Sequence, residues 1–188
     1  INGGTMDDFA GFSIDTRVIE PDQVYIALPG EQYDGHSFVA EAAEKGVKGI
    51  IIDNKHVAAL EALVYEHDLF CVAVENTRYA LGQIARFHRR RLSAKVLAVT
   101  GSAGKTSTRK MISDVLAKKY NLWSTEGNFN NEIGLPLTIL GITREHDWAV
   151  VEMGANHPGE IKRLCEIAEP RIAVITNVGP AHLEGFLT

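Results

Sequence analysis

Two cysteines in 188 residues leave no disulfide framework on which a fold could rest. Both Cys71 and Cys165 stand among apolar neighbours, the setting of buried free thiols in a reducing compartment. Long apolar runs are missing as well. The longest, Leu69 to Val74, has six residues, far short of the roughly 18 that a membrane helix needs, so no membrane insertion is expected. Positive charge is in deficit, with 19 Lys+Arg against 24 Asp+Glu. Residues 1–92 hold 9 against 14 and residues 93–188 hold 10 against 10, so the imbalance sits in the first half. That is not the basic footprint of a nucleic-acid binder. Neither a repeat nor a low-complexity tract occurs, and Ile1 is not followed by a charged-then-apolar leader. The expectation is a cytoplasmic protein whose natural start, given the missing initiator Met, has been cut away.

What is present is ordinary globular composition, 45% hydrophobic and 23% charged. Short apolar runs alternate with helix-period segments. Val24 to Leu28, Gly49 to Ile52 and Leu69 to Val74 read as buried strands, with helical patterns over Ser37 to Lys45 and His56 to Glu66. A helix capped by Asn76 or Thr77 follows, its apolar stripe formed by Leu81, Ile84, Ala85 and His88. The cations at its end, Arg86 and Arg89 to Arg91, suit the negative end of a helix dipole better than a phosphate. A second series begins after Leu92. Lys95 to Thr100, Asp147 to Glu152 and Arg171 to Thr176 read as strands. Met111, Ile112, Val115 and Leu116 form one expected helix face, and Ile161, Leu164, Cys165 and Ala168 another, ended by Pro170. Strand–helix–strand order with short links predicts an α/β fold with parallel sheets. Two domains are expected, 1–76 and 77–188.

The strongest chemical signal is Gly101-Ser102-Ala103-Gly104-Lys105-Thr106-Ser107, set between an apolar strand and an amphipathic helix. Glycines let backbone N–H groups close around phosphate oxygens, and the helix N-terminus adds its positive dipole end. Lys105 would reach the β- and γ-phosphates of ATP, and the Thr106 hydroxyl would ligate Mg²⁺. Val99 stands where the strict G-x-x-x-x-G-K-[ST] pattern has glycine, which leaves the shorter G-x-x-G-K-T form. Open sheets bind ligands at the carboxyl ends of their strands. Two groups fall there: Glu152, placed like a Walker-B acid, and His182, in the Gly/Pro loop after the last strand.

Four stretches, Gly101 to Ser107, Thr125 to Pro136, Glu152 to Ile161 and Ala181 to Phe186, together resemble the Mur ligase family. In the first half, Ser13 to Arg17, Asp22 to Gly30 and Asp34-Gly35-His36 resemble that family's amino-terminal domain. The resemblance implies a small amino-terminal α/β domain that binds a UDP-linked substrate, followed by an incomplete P-loop parallel-sheet ATPase domain. It also implies an activity: ATP-dependent amide-bond formation between UDP-N-acetylmuramoyl-tripeptide and D-alanyl-D-alanine in peptidoglycan precursor synthesis. There the peptide carboxylate takes the γ-phosphoryl group to give an acyl phosphate, which the amine then attacks. Bringing anion to anion makes positioning and cation screening the main source of rate.

By the same resemblance, Lys105, Glu152 and His182 are catalytic, Thr106 and Glu152 hold one Mg²⁺, and Glu152 with His182 serve a second. Asp15, Thr16 and Arg17 would contact the uridine diphosphate. Asn128, Asn130 and Asn131 offer amides to a substrate carboxylate or phosphate, or else make a turn tolerant of left-handed backbone. Asn156 and His157 stand before Gly159-Glu160 at an expected helix start, where capping competes with substrate contact. Leu187 stands where the family usually has glycine. The family's carbamylated lysine and its carboxyl-terminal, amine-bringing domain are expected beyond Thr188, so the chain is expected to be a fragment unable to ligate. Three alternatives stay open: a folylpolyglutamate synthase-like ligase, a generic P-loop kinase, and a nucleotide- or UDP-sugar-binding module without turnover.

Overall fold

The computed structural model describes residues 8–30 and 32–179. The chain divides into two compact units, Ile1–Leu81 and Gly82–Thr188. The first carries a parallel sheet of strands β1 (Gly11–Ser13), β2 (Gln23–Ile26), β3 (Gly49–Asp53) and β4 (Phe70–Val74), in that order. Short helices α1 (Val39–Glu44) and α2 (Val57–Glu66) make the crossovers. Each is entered through a 3-10 turn, Gly35–Phe38 and Asn54–His56, so the two α-helices begin later than the apolar period alone predicts. Strand β3 is buried along its whole length, as its unbroken Gly-Ile-Ile-Ile-Asp run requires of a central parallel strand. Tyr25, Val39, Ala42, Ile50, Ile52 and Val64 fill the core of this unit.

Helix α3 (Thr77–Arg90) spans the division, which falls inside it rather than before it. Its first residue belongs to the first unit, since the Thr77 N–H donates to Asp53 Oδ1 at 2.9 Å, while Ala85 packs into the second core. Asn76 caps the helix by accepting the Tyr79 N–H at 2.8 Å. At its far end the arginines are structural. Arg90 and Arg86 pair with Glu169, and Arg89 donates to the carbonyls of Ala168 and Leu92. The Arg90 guanidinium holds the Glu169 carboxyl below its ordinary value.

In the second unit, β5 (Lys95–Thr100), β6 (Leu122–Ser124), β7 (Trp148–Glu152) and β8 (Ile172–Ile175) form a parallel sheet ordered β6-β7-β5-β8. Side chains alternate across β5. Val96 and Ala98 face a core shared with α5 (Gly134–Leu140) and α6 (Glu160–Ala168), while Leu97 and Val99 face Ile112 and Leu116 of α4 (Lys105–Leu116). Three elements escape the sequence reading: β1, β6 and α5. One expectation is corrected, and one strand is more open than its apolar run suggests. Met111 and Val115 of α4 are exposed, because only the neighbouring stripe, Ile112 and Leu116, meets the sheet. The apolar run of β8 is not buried, with Ile172 and Ile175 exposed, because among the described residues β8 pairs only with β5 at the sheet's edge.

Both cysteines are free; Cys71 is buried and Cys165 half-buried, and burial pushes both thiols up from their ordinary value. No helix among the described residues is long and apolar enough to cross a membrane.

Candidate functional site

The sheet order of the second unit decides where a ligand can sit. From β5 the chain crosses to β6 on one side, and from β7 it returns past β5 to β8 on the other. The crevice at the carboxyl end of β5 is therefore a topological switch point. The loop from Gly101 to Gly104 occupies that end, and α4 starts immediately after it. Gly101 and Gly104 both have positive φ, +133° and +77°. A Cβ on Gly101 would collide with the Thr176 hydroxyl and lie within 3.0 Å of the Asn177 backbone, so only glycine fits there.

The loop is held from the strand-end segment that follows β8. Ser102 N–H donates to the Asn177 carbonyl (3.2 Å) and Ala103 N–H to Asn177 Oδ1 (2.9 Å). Thr176 Oγ1 donates to the Ala103 carbonyl, and the Ser102 hydroxyl exchanges hydrogen bonds with the backbone of Gly179. Lys105 is half-buried and its Nζ folds back onto the Gly101 carbonyl at 2.7 Å. The first turn of α4 presents N–H groups without partners inside the helix, and Thr106 and Ser107 are exposed beside them. Together these form a cradle of fixed donors with a cation at its rim, suited to phosphate oxygens.

Glu152 ends β7, two per cent exposed. Its Oε2 accepts the Thr106 hydroxyl at 2.9 Å and its Oε1 accepts Asn130 Nδ2 at 2.9 Å. Its backbone N–H donates to Thr125 Oγ1 at 3.2 Å. Arg109, one helical turn beyond Thr106, brings Nε to 3.5 Å from Oε2 and donates through Nη1 to Ser124 Oγ at 2.9 Å. The Thr106 and Glu152 oxygens fit a small divalent cation. An octahedron with bonds of about 2.0–2.1 Å has an edge of about 2.9 Å, and both donors are hard oxygens.

The structure thus brings Thr106 and Glu152 together and sets Lys105 at the start of α4, next to Thr106. His182 lies outside the described residues, as does Leu187. Asn128 is exposed. Asn131 takes the helix-capping role, its Oδ1 accepting the N–H groups of Ile133 and Gly134 at the start of α5. No side chain caps α6; Glu160, its first residue, instead reaches back to the preceding loop, where its Oε2 accepts the N–H groups of Asn156 and His157. Burial would push that carboxyl up, but these donors and the His157 ring outweigh it and hold it below its ordinary value. Arg109 and Ser124 escape the sequence reading. The available signal was that Thr106 and Arg109, three apart on a helix, share a face.

In the first unit, Asp15 caps a 3-10 turn by accepting the Arg17 N–H (2.9 Å), and the Arg17 guanidinium chelates the same carboxylate. The guanidinium holds the Asp15 carboxyl below its ordinary value. Thr16 is buried, its carbonyl taken by Lys45 Nζ at 2.7 Å. Arg17 itself remains largely exposed and reachable by an anion.

A second cluster in this unit, Asp34, His36 and His56, has the spacing of a metal site. The chemistry of His36 argues against one. Its Nε2 accepts the Asp53 N–H at 2.9 Å, so the hydrogen sits on Nδ1, where it meets Asp34. Both ring nitrogens are spent, and no lone pair remains for an ion. Burial pushes the Asp34 carboxyl up, but the backbone and ring N–H donors of His36 outweigh it and hold it below its ordinary value. His36→Ala is expected to cost about 2–4 kcal/mol through a cavity and an orphaned Asp53 N–H, measured by urea denaturation. Added Zn²⁺ is expected to leave the melting temperature unchanged.

Residues 99–188 match the Mur ligase middle domain, and residues 8–89 match the Mur ligase family catalytic domain. A UDP-N-acetylmuramoyl-tripeptide--D-alanyl-D-alanine ligase from Bacillus subtilis is 43% identical over 174 residues, 93% of this chain and 37% of that protein. A crystal structure of MurF from Acinetobacter baumannii superposes with TM-score 0.81 at 37% identity, covering 92% of this chain and 36% of that one. A MurF ligase from Thermotoga maritima in complex with ADP does so with TM-score 0.79 at 37% identity, covering 92% and 38%. The chain spans little more than a third of the length of the relatives it matches.

Proposed function

The chain belongs to the Mur ligase family, and from that premise we propose that it carries the ATP-binding and UDP-substrate-binding parts of a ligase. That ligase joins D-alanyl-D-alanine to UDP-N-acetylmuramoyl-tripeptide in the cytoplasm, through an acyl phosphate. The activity for which the relatives are named supports the substrate assignment, and the ADP complex of the Thermotoga protein supports the nucleotide. One observation carries the reading. The hydroxyl after the P-loop lysine meets a buried strand-end carboxylate at 2.9 Å, at the switch point of a parallel sheet.

On this reading the Ser102 and Ala103 N–H groups stay on Asn177 and fix the loop's shape, and the backbone N–H groups from Gly104 to Ser107 meet the β- and γ-phosphates, with the α4 dipole behind them. Lys105 leaves the Gly101 carbonyl and turns its charge to the phosphates. Thr106 and Glu152 are the residues that would hold Mg²⁺, which when bound screens the phosphate charge and polarises the transferring group. Asn130 fixes the Glu152 carboxylate by its other oxygen, so that Oε2 keeps its aim. In the first unit, Arg17, with its exposed guanidinium, receives the diphosphate of the UDP-linked substrate, and Asp15 orients it. By the family resemblance, His182 would join Glu152 in serving a second Mg²⁺.

Calorimetry on this chain tests the reading. ADP or ATP with Mg²⁺, and separately UDP-N-acetylmuramoyl-tripeptide, are each expected to bind with one-to-one stoichiometry. Adding EDTA is expected to weaken the nucleotide but not the UDP-linked ligand. A chain that takes up neither nucleotide with Mg²⁺ present refutes the assignment.

A further inference from the structure

Arg109 has no part in the mechanism above, yet it is the cation nearest the buried Glu152 carboxylate among the ion pairs of the described residues. Its side chain is 13% exposed. Its anchor is made by a different nitrogen, Nη1, which donates to the Ser124 hydroxyl at 2.9 Å, and Ser124 is itself hydrogen-bonded to Ser113 at 3.1 Å. Its Nε, 3.5 Å from Glu152 Oε2, is buried and makes no hydrogen bond. The guanidinium therefore neutralises Glu152 at a distance while being held back by Ser124. The oxygen it approaches, Oε2, is the one that also accepts the Thr106 hydroxyl.

We propose that Arg109 is a built-in counter-charge that stands in for the divalent cation at Glu152 and, by competing for Oε2, sets how much Mg²⁺ the nucleotide site requires. It is a positioning residue, acting through Glu152. The inference rests on the reading of Thr106 and Glu152 as the cation edge. Two consequences of opposite sign follow from the charge arrangement. Without a cation, the guanidinium stabilises a buried carboxylate that would otherwise lack a charge partner. With a cation, the same guanidinium is a like charge beside it and a rival for one oxygen. Ser124 moderates the rivalry by drawing the guanidinium away.

The test uses the chain with ADP as probe and reads two quantities: the melting temperature without nucleotide or metal, and the Mg²⁺ concentration that half-restores tight ADP binding. Arg109→Met is expected to lower the melting temperature and, at the same time, to lower the half-restoring Mg²⁺ concentration by about tenfold. A residue that merely supported the fold would lower stability and raise the Mg²⁺ requirement, so a requirement that rises or stays put overturns the proposal. Ser124→Ala frees the guanidinium to close on Oε2 and is expected to raise the Mg²⁺ requirement a few-fold. If Arg109→Met does not fold, this second variant decides alone, and an unchanged or lower requirement overturns the proposal. Should the unmodified chain bind ADP with no dependence on Mg²⁺, the cation edge itself is wrong and the inference falls with it. Should the dependence be present but unmoved by either variant, only the role of Arg109 falls.

Discussion

Replacing Lys105 with methionine is expected to weaken binding of ADP·Mg²⁺ or ATP·Mg²⁺ by about ten- to a hundredfold while leaving the fold intact. The two effects separate because Lys105 has different partners in the two states. Without ligand its Nζ bonds one neutral carbonyl, that of Gly101, four residues back in the preceding loop. Such a bond contributes about 0.5–1.5 kcal/mol net, and the side chain is only half-buried, so stability should move little. With a polyphosphate bound, the same ammonium meets full negative charge, and hydrogen bonds to charged groups contribute about 1.5–3 kcal/mol each. Met keeps the length and the apolar stem, so the comparison isolates the charge. Calorimetry with nucleotide and a thermal melt without it measure the two sides. Lys105→Arg is expected to fall between, since a planar guanidinium is a poorer fit to a site shaped for a point charge. Undiminished affinity in Lys105→Met would remove the phosphate cradle from this loop.

Much of that geometry was legible because its parts are contiguous in the chain. An apolar strand, a glycine turn and an amphipathic helix in succession fix β5, the loop and α4 with no tertiary information, and the next apolar run delivers Glu152 to the end of β7. Elements whose stability comes from elsewhere were not legible. Strands β1 and β6 have three residues each, all half-buried, and exist because a longer strand offers them a ladder. Helix α5 hides behind Pro136, which reads as a breaker. It is the third helical residue, within the first turn, where proline is tolerated, and Asn131 caps the turn before it. The asparagine loop shows the same limit within the site. Three similar residues divide their roles by position alone: Asn130 reaches Glu152, Asn131 caps α5 and Asn128 stays exposed. Nothing in residue type distinguishes them, because the selection is made by β7 and α5 approaching from distant parts of the chain.

Gly101→Ala is expected to be the most damaging single substitution in the site, lowering stability by about 3–5 kcal/mol and abolishing nucleotide binding. Two causes add. The backbone at φ +133° lies where a side chain is strained by about 1–3 kcal/mol. The added methyl would also strike the Thr176 hydroxyl and crowd the Asn177 backbone. Neither neighbour is free to retreat. Thr176 Oγ1 is bonded to the carbonyls of Thr100 and Ala103, and Asn177 receives the N–H groups of Ser102 and Ala103. Displacing them unfastens the loop from the segment after β8, the attachment that shapes the cradle. The double variant Gly101→Ala/Thr176→Ala separates the causes. It removes the hydroxyl from the collision but keeps both the strained φ and the approach to Asn177, so it should recover only part of the lost stability and none of the nucleotide affinity. Urea denaturation gives the first quantity and calorimetry with ADP·Mg²⁺ the second. Full recovery of both would mean that the hydroxyl alone demanded glycine. A Gly101→Ala chain that is stable and binds nucleotide normally would mean that the loop does not hold the turn described here.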